Sequence, residues 1–212
     1  GSPAMGWKIA ATSIDGQRHI GVDGPLAGRI YQDRMLPVGA NVSLKSNLMH
    51  VAEIEFAFSF AKAMPLRSGE YSVAEVLDAV AAVHPSIEIP DSRYDDFVTV
   101  GAPQLIADNA CACLFILGQA ASDWKSFDYV NESIHVTLNG EAIDSGYGRN
   151  VLGDPRVALT WIVNELSSLG VPMQAGQFVT TGTCRVPVKV KAGDDVHADF
   201  GPLGQVNCRF SE

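Results

Sequence analysis

From Val51 to Phe60 the chain alternates in a fixed rhythm, with Ile54, Phe56, Phe58 and Phe60 set against Glu53, Glu55, Ala57 and Ser59. Strand side chains alternate with period 2. This segment is therefore predicted to be a strand with one core face and one face bearing two carboxylates. The period then changes. Ser72-Val73-Ala74-Glu75 has the form of a capping box, and Val76, Leu77, Val80 and Val83 follow at helical spacing, which predicts a helix ending near His84-Pro85. Asp154-Pro155 offers an N-cap and a proline at the first helical position. Ala158, Leu159, Ile162, Val163 and Leu166 follow, and Gly170 is a stop, which predicts a second helix. Short apolar runs at 86–89, 112–117, 134–138, 178–181, 186–190, 196–200 and 206–210 predict strands. Asn139-Gly140, Ala192-Gly193-Asp194-Asp195 and Gly201-Pro202 supply turns between several of them. Trp7 to Thr12 is strand-compatible, whereas Gly21 to Gly28, with Asp23-Gly24-Pro25 inside it, predicts a loop. Many strands and two helices without strand–helix–strand alternation predict an α+β domain with a mixed, mostly antiparallel sheet.

Length and composition narrow the possibilities. A chain of 212 residues with 47% hydrophobic and 18% charged residues is one ordinary domain and not a disordered one. Its net charge of −9 disfavours nucleic acid and anionic lipid as partners. There is neither a signal-peptide pattern nor an apolar run of about 18 residues, so a cytoplasmic setting is expected. Gly1 to Met5 resembles a vector scar or a loop and is set aside from the fold. Cys111, Cys113, Cys184 and Cys208 lack zinc-site spacing and are expected to be buried thiols, the first two on one face if that stretch is extended. The five histidines are scattered and receive no catalytic role.

Glu53 and Glu55 project from the same strand face with about 6.5–7 Å between them, twice the rise per residue. Such a pair is either a solvated acidic face or a site where a proton or cation is shared. Glu88, in Ser86-Ile87-Glu88-Ile89-Pro90, is a lone acid in a strand-like run and a candidate third carboxylate. Oxygen-only ligation suits Mg²⁺ or Mn²⁺.

The ordered succession Gly6-Trp7-Lys8-Ile9, Gly21-Val22-Asp23, Glu53-Ile54-Glu55-Phe56-Ala57-Phe58, Ile87-Glu88-Ile89 with Ser92-Arg93, Ala107-Asp108-Asn109-Ala110, Val151-Leu152-Gly153-Asp154-Pro155, Thr181-Gly182-Thr183 and Ala198-Asp199-Phe200-Gly201 resembles the 2-keto-4-pentenoate hydratase family. That family includes the 4-oxalocrotonate decarboxylases and belongs to the fumarylacetoacetate hydrolase superfamily. The resemblance spans nearly the whole chain. It implies a β-roll with flanking helices and a divalent metal on Glu53, Glu55 and Glu88, and a small 2-oxo or 2-hydroxydienoic acid substrate whose enolate the metal stabilises. It also implies Lys8 as the cation facing the carboxylate or enolate, and an oligomer of at least two copies, with association to a related decarboxylase or hydratase conceivable.

Other positions carry two readings each. Asp108 and Asn109 orient water or substrate, or form a turn or cap. Arg93 meets a ligand glutamate or a distal substrate carboxylate, or makes a structural ion pair. Thr181, Gly182 and Thr183 bind a carboxylate or end a strand. Two departures from the family pattern stand out. Leu26 stands where hydratases carry a proton-transferring Asp, leaving Asp23 as the nearest substitute. The helical segment that members carry ahead of the Gly-x-Lys motif has no counterpart. On the ordered motif match, hydration is the leading expectation. Decarboxylation of a vinylogous 2-oxo acid, acylpyruvate hydrolysis and a non-catalytic 2-oxo-acid-binding subunit are the alternatives.

Overall fold

A computed structural model describes residues 1–121 and 123–212. In chain order its strands are β1 (Ala4–Ala10), β2 (Leu26–Tyr31), β3 (Met35–Leu36), β4 (Asn41–Ser43), β5 (Val51–Phe60), β6 (Val80–Ile89), β7 (Leu114–Leu117), β8 (Ser133–Leu138), β9 (Glu141–Tyr147), β10 (Phe178–Thr183), β11 (Val188–Lys189), β12 (Asp195–Asp199) and β13 (Gln205–Ser211). Among the described residues the α-helices are α1 (Ile14–Ile20), α2 (Val73–Ala79), α3 (Ala102–Ala107) and α4 (Pro155–Ser168).

One sheet runs β2-β1-β10-β5-β6-β7-β3, with β11 against the start of β5, and a second runs β4-β13-β12-β8-β9. The pairs β1–β10, β3–β7 and β4–β13 are parallel and the others antiparallel. The first sheet is curled. Ile30 of β2 and Phe115 of β7, near opposite ends of the strand order, share one buried cluster with Ala57 and Phe178, and the Phe115 and Phe178 rings stack at 5.2 Å. The outer face of β5 packs on the second sheet and on α4, with Phe56 and Phe200 edge to face at 5.1 Å. Each such phenylalanine contributes about 1.5–3 kcal/mol by burial.

The α+β class and the mixed, mostly antiparallel roll agree with expectation, and several local expectations are corrected. Of the two readings of the acidic face of β5, the solvated one does not hold: the curl closes over it, and Glu55 and Ala57 are both fully buried. The capping box of Ser72 and Glu75 forms, but α2 ends at Ala79. The β-branched Val80 and Val83 enter β6, which runs straight through His84-Pro85. Gly21 caps α1 in the left-handed region at φ +65°, and Leu26, Ala27 and Gly28, expected as loop, open β2. Ala4 and Met5, set aside as a scar, begin β1, where Ala4 pairs with Tyr31. Cys111 has φ +60°, so the Cys111–Cys113 stretch is not extended. All four cysteines are free thiols, Cys113 only partly buried.

His84 is buried in β6, its Nδ1 2.9 Å from the Gly118 carbonyl oxygen and its Nε2 3.1 Å from Ser59 Oγ. Burial holds its pKa below the ordinary 6.5, against the pull of the Gly118 carbonyl. The unfolded chain therefore takes up this proton first, and stability falls as pH drops below about 6.5. Thermal unfolding at pH 7.5 and 5.5 is expected to show a larger fall for the wild type than for His84→Gln; equal falls would remove His84 from the pH response.

Candidate functional site

The inner face of the curled sheet brings distant segments to one place. Parallel pairing sets Lys8 of β1 beside Thr180 of β10, and antiparallel pairing sets Glu53 opposite Glu88 and Glu55 opposite Ser86. Glu53, Glu55 and Glu88 each offer an oxygen within 4.8 Å of the others. Lys8 Nζ lies 3.1 Å from Glu88 Oε1 and donates to the Ala110 carbonyl at 2.9 Å. Lys8, Glu55 and Glu88 are at most 2% exposed, while Glu53 is partly buried.

Glu55 is the most tightly held carboxylate. The β10–β5 register slips between Thr180 and Thr183, and this irregularity turns two donors onto one oxygen: Thr180 Oγ1 and the Gly182 N–H, at 2.9 Å, both reach Glu55 Oε2. Position 182 requires glycine on two grounds. Its φ is +98°, and a Cβ there would overlap the Thr12 side chain.

Three carboxylates and one ammonium out of water make an electrostatically unfinished site. Burial pushes the Glu55 carboxyl up to about 7, with Glu53 adding to the shift and Lys8, Thr180 and Gly182 opposing it. Burial likewise raises Glu53 and Glu88 against the attraction of Lys8. For Lys8, burial favours loss of the proton, but Glu88, Glu53 and Glu55 outweigh it and hold the ammonium above its ordinary range. Glu55 Oε1 and Glu88 Oε2 are buried with no hydrogen-bond partner among the described residues. Orphaned carboxylate oxygens are costly, and an acceptor-only set of this kind is the donor chemistry of a hard divalent cation.

The other expected residues are placed differently. Asp108 is buried and accepts from Ser92 Oγ at 2.7 Å, and Arg93 Nε lies 2.5 Å from it. Asn109 makes two bonds to the main chain of Arg29. Thr181 Oγ1 donates to the Phe56 carbonyl and Thr183 Oγ1 to the Arg185 carbonyl. Asp23 is exposed in the turn before β2. Thr180 and the Ala110 carbonyl are participants that the sequence reading missed. Thr180 was accessible in principle, since strand alternation from Gly182 puts it on the same side. A cleft of about 750 Å³ opens beside Glu88, with Arg29, Arg34 and Arg93 on its walls, a size suited to a small molecule. A separate apolar cluster of Val22, Leu26, Leu105, Ala110 and Cys111 adjoins the Lys8 end.

Residues 31–211 match the family model for the fumarylacetoacetate (FAA) hydrolase C-terminal region. The chain belongs to this family. Within the FAA hydrolase relatives, it is 29% identical over 210 residues to the 2-keto-4-pentenoate hydratase of Paraburkholderia xenovorans (strain LB400), covering 99% of this chain and 77% of that protein. It is 31% identical over 210 residues to the 4-oxalocrotonate decarboxylase of Pseudomonas sp. (strain CF600), covering 99% and 78%. The solved 4-oxalocrotonate decarboxylase from Pseudomonas putida G7, complexed with magnesium and adipate, superposes with a TM-score of 0.88 at 28% identity, over 99% of this chain and 79% of that one. Among the described residues, no helix of this FAA hydrolase family member is long and apolar enough to cross a membrane.

Proposed function

We propose that this protein is a divalent-metal-dependent lyase of the 2-keto-4-pentenoate hydratase type, converting a 2-hydroxy-2,4-dienoate to a 4-hydroxy-2-oxo acid. The observation that carries this reading is the meeting of Glu53, Glu55 and Glu88 around Lys8 with two carboxylate oxygens left orphaned. The family relatives act on small acids of this class by name, and one of them holds magnesium. Mg²⁺ is accordingly the cation assigned to the three glutamates, with Mn²⁺ as its substitute. When bound, it supplies a Lewis acid for the carboxylate and 2-oxygen of the substrate.

The chain's own residues do the rest. Lys8 has three N–H donors. Glu88 and Ala110 take two, and the third meets the oxygen on which negative charge develops, where a buried cation is worth far more than in water. Thr180 and Gly182 fix Glu55 so that it needs no reorganisation. Arg29, Arg34 and Arg93 favour an anionic substrate in the cleft. Assembly of at least two copies, which rests on the resemblance, and a cytoplasmic setting, which rests on the sequence pattern, complete the reading.

A second reading, decarboxylation of a vinylogous 2-oxo acid, is favoured by one observation. Leu26 lies in the apolar cluster beside the Ala110 turn while Asp23 is exposed, so neither position supplies the carboxylate that would activate a water in a hydratase. The same electron sink would serve loss of carbon dioxide.

Titration of oxalate, a planar mimic of the 2-oxo-acid enolate, into metal-stripped protein tests the shared site. Heat is expected only in the presence of Mg²⁺ or Mn²⁺; cation-independent binding, or none, would count against both readings. Product analysis then separates a hydroxylated 2-oxo acid from released carbon dioxide.

A further inference from the structure

Asn109, Ala110 and Cys111 stand at φ +56°, +52° and +60°, three successive non-glycine residues in the left-handed region. Each such residue costs roughly 1–2 kcal/mol relative to right-handed backbone, so a run of three persists only where its surroundings over-determine it. They do so here. β2 is the edge of its sheet, and the outward main-chain groups of Arg29 are both taken by the Asn109 amide: Arg29 N donates to Asn109 Oδ1 at 2.7 Å, and Asn109 Nδ2 donates to the Arg29 carbonyl at 2.8 Å. Asn109 thus completes the edge as one residue of a further strand would. At Gly28 a Cβ would overlap the Asn109 carbonyl oxygen, so that glycine is what allows the close approach. The far side of the turn is tied by Asp91 N donating to the Cys111 carbonyl at 3.0 Å.

The left-handed turn delivers one atom to the site, the Ala110 carbonyl oxygen, 2.9 Å from Lys8 Nζ. Of the two acceptors of that ammonium among the described residues, Glu88 belongs to the carboxylate cluster. The Ala110 oxygen is the one fixed independently of it.

We propose that the turn, pinned to β2 by Asn109, is a positioning device for Lys8, and that Asn109 is a positioning residue for the reaction proposed above. The inference rests on that reading for its effect on turnover but not for its effect on Lys8 itself. Asparagine combines the two requirements, tolerance of left-handed backbone and an amide matching a peptide's donor and acceptor.

Asn109→Gly tests this without a folding penalty from the backbone, since glycine is at ease at φ +56° while both bonds to Arg29 are lost. Asn109→Ala loses the same bonds and adds strain. Turnover of both is expected to fall about tenfold or more, as a displaced reacting group loses rate steeply, with KM within about threefold. Asn109→Ala alone should show the larger fall in Tm. The second readout is amine-reactive labelling of Lys8, measured by mass spectrometry with exposed Lys45 and Lys125 as internal standards. Labelling is expected to rise about fivefold or more in Asn109→Gly as the ammonium is released. Unchanged Lys8 labelling overturns the proposal whatever the activity, and so does wild-type turnover in Asn109→Gly. If the wild type turns over no dienoate or 2-oxo acid, the functional reading fails, and the labelling comparison still decides the positioning role.

Discussion

Glu55→Ala is expected to abolish cation-dependent turnover, with kcat falling by a factor of about 10³ or more. Of the three, Glu55 is the carboxylate whose orientation the fold fixes most completely: Thr180 and Gly182 hold one oxygen, and the other is buried with no partner among the described residues. A ligand so held needs no ordering on cation binding, which makes it the worst one to lose. The same burial predicts an opposite effect on stability. Glu55 is held up to about 7 by burial and by Glu53, so its ionised form destabilises the metal-free protein at neutral pH. Glu55→Gln, which keeps an acceptor for Thr180, should therefore unfold at a temperature no lower than the wild type while losing both Mn²⁺ affinity and turnover. Calorimetric titration with Mn²⁺ and a thermal melt at pH 7.5 decide the matter. Wild-type affinity in either variant would remove Glu55 from the site.

The second large effect is expected at Lys8. In Lys8→Met the chain length is nearly kept and the charge removed, leaving three carboxylates without their buried counter-ion. Breaking a buried ion pair from one side costs about 3–5 kcal/mol, and the side chains of Lys8 and Glu88 are only 3% and 2% exposed, so little of this is screened by solvent. The metal-free variant should melt well below the wild type. Saturating Mg²⁺ should restore much of the difference, because a ligand that binds only the folded chain stabilises it. Turnover should nevertheless stay down by about 10²–10³, the usual loss when a preorganised charge facing the developing anion is removed. A variant as stable as the wild type without Mg²⁺ would show that the ammonium is not the counter-charge of this cluster.

The parts of the fold that local pattern encodes were legible. Alternation marks β5, and Asp154-Pro155 with Gly170, at φ +75°, brackets α4. α1 was invisible because none of its residues is buried, so no apolar period exists to detect. β9, along Glu141–Tyr147, has only Gly146 buried. The boundary at Val80 failed because valines three or four apart satisfy a helical period, yet these β-branched residues also suit the strand they enter. The glutamates could be named as candidates from the sequence, but their meeting could not. It depends on the β5–β6 register that sets Glu53 opposite Glu88, and the Lys8–Thr180 register then brings the lysine to them from the other end of the chain. The partners of Asp108, Asn109 and Arg93 were hidden for the same reason.

That strand order also governs when the site can come into being. β5 and β6 are joined locally through α2 and can pair early, bringing Glu53, Glu55 and Glu88 together as soon as they do. Lys8 reaches them only through β10, which is inserted between β1 and β5. The topology thus predicts that the three acids lack their counter-ion until Phe178–Thr183 has been synthesised and the long-range pairing has closed, the slow kind of step in β-rich topologies. On this order the carboxylate cluster is expected to form first, and the lysine that balances it to dock last.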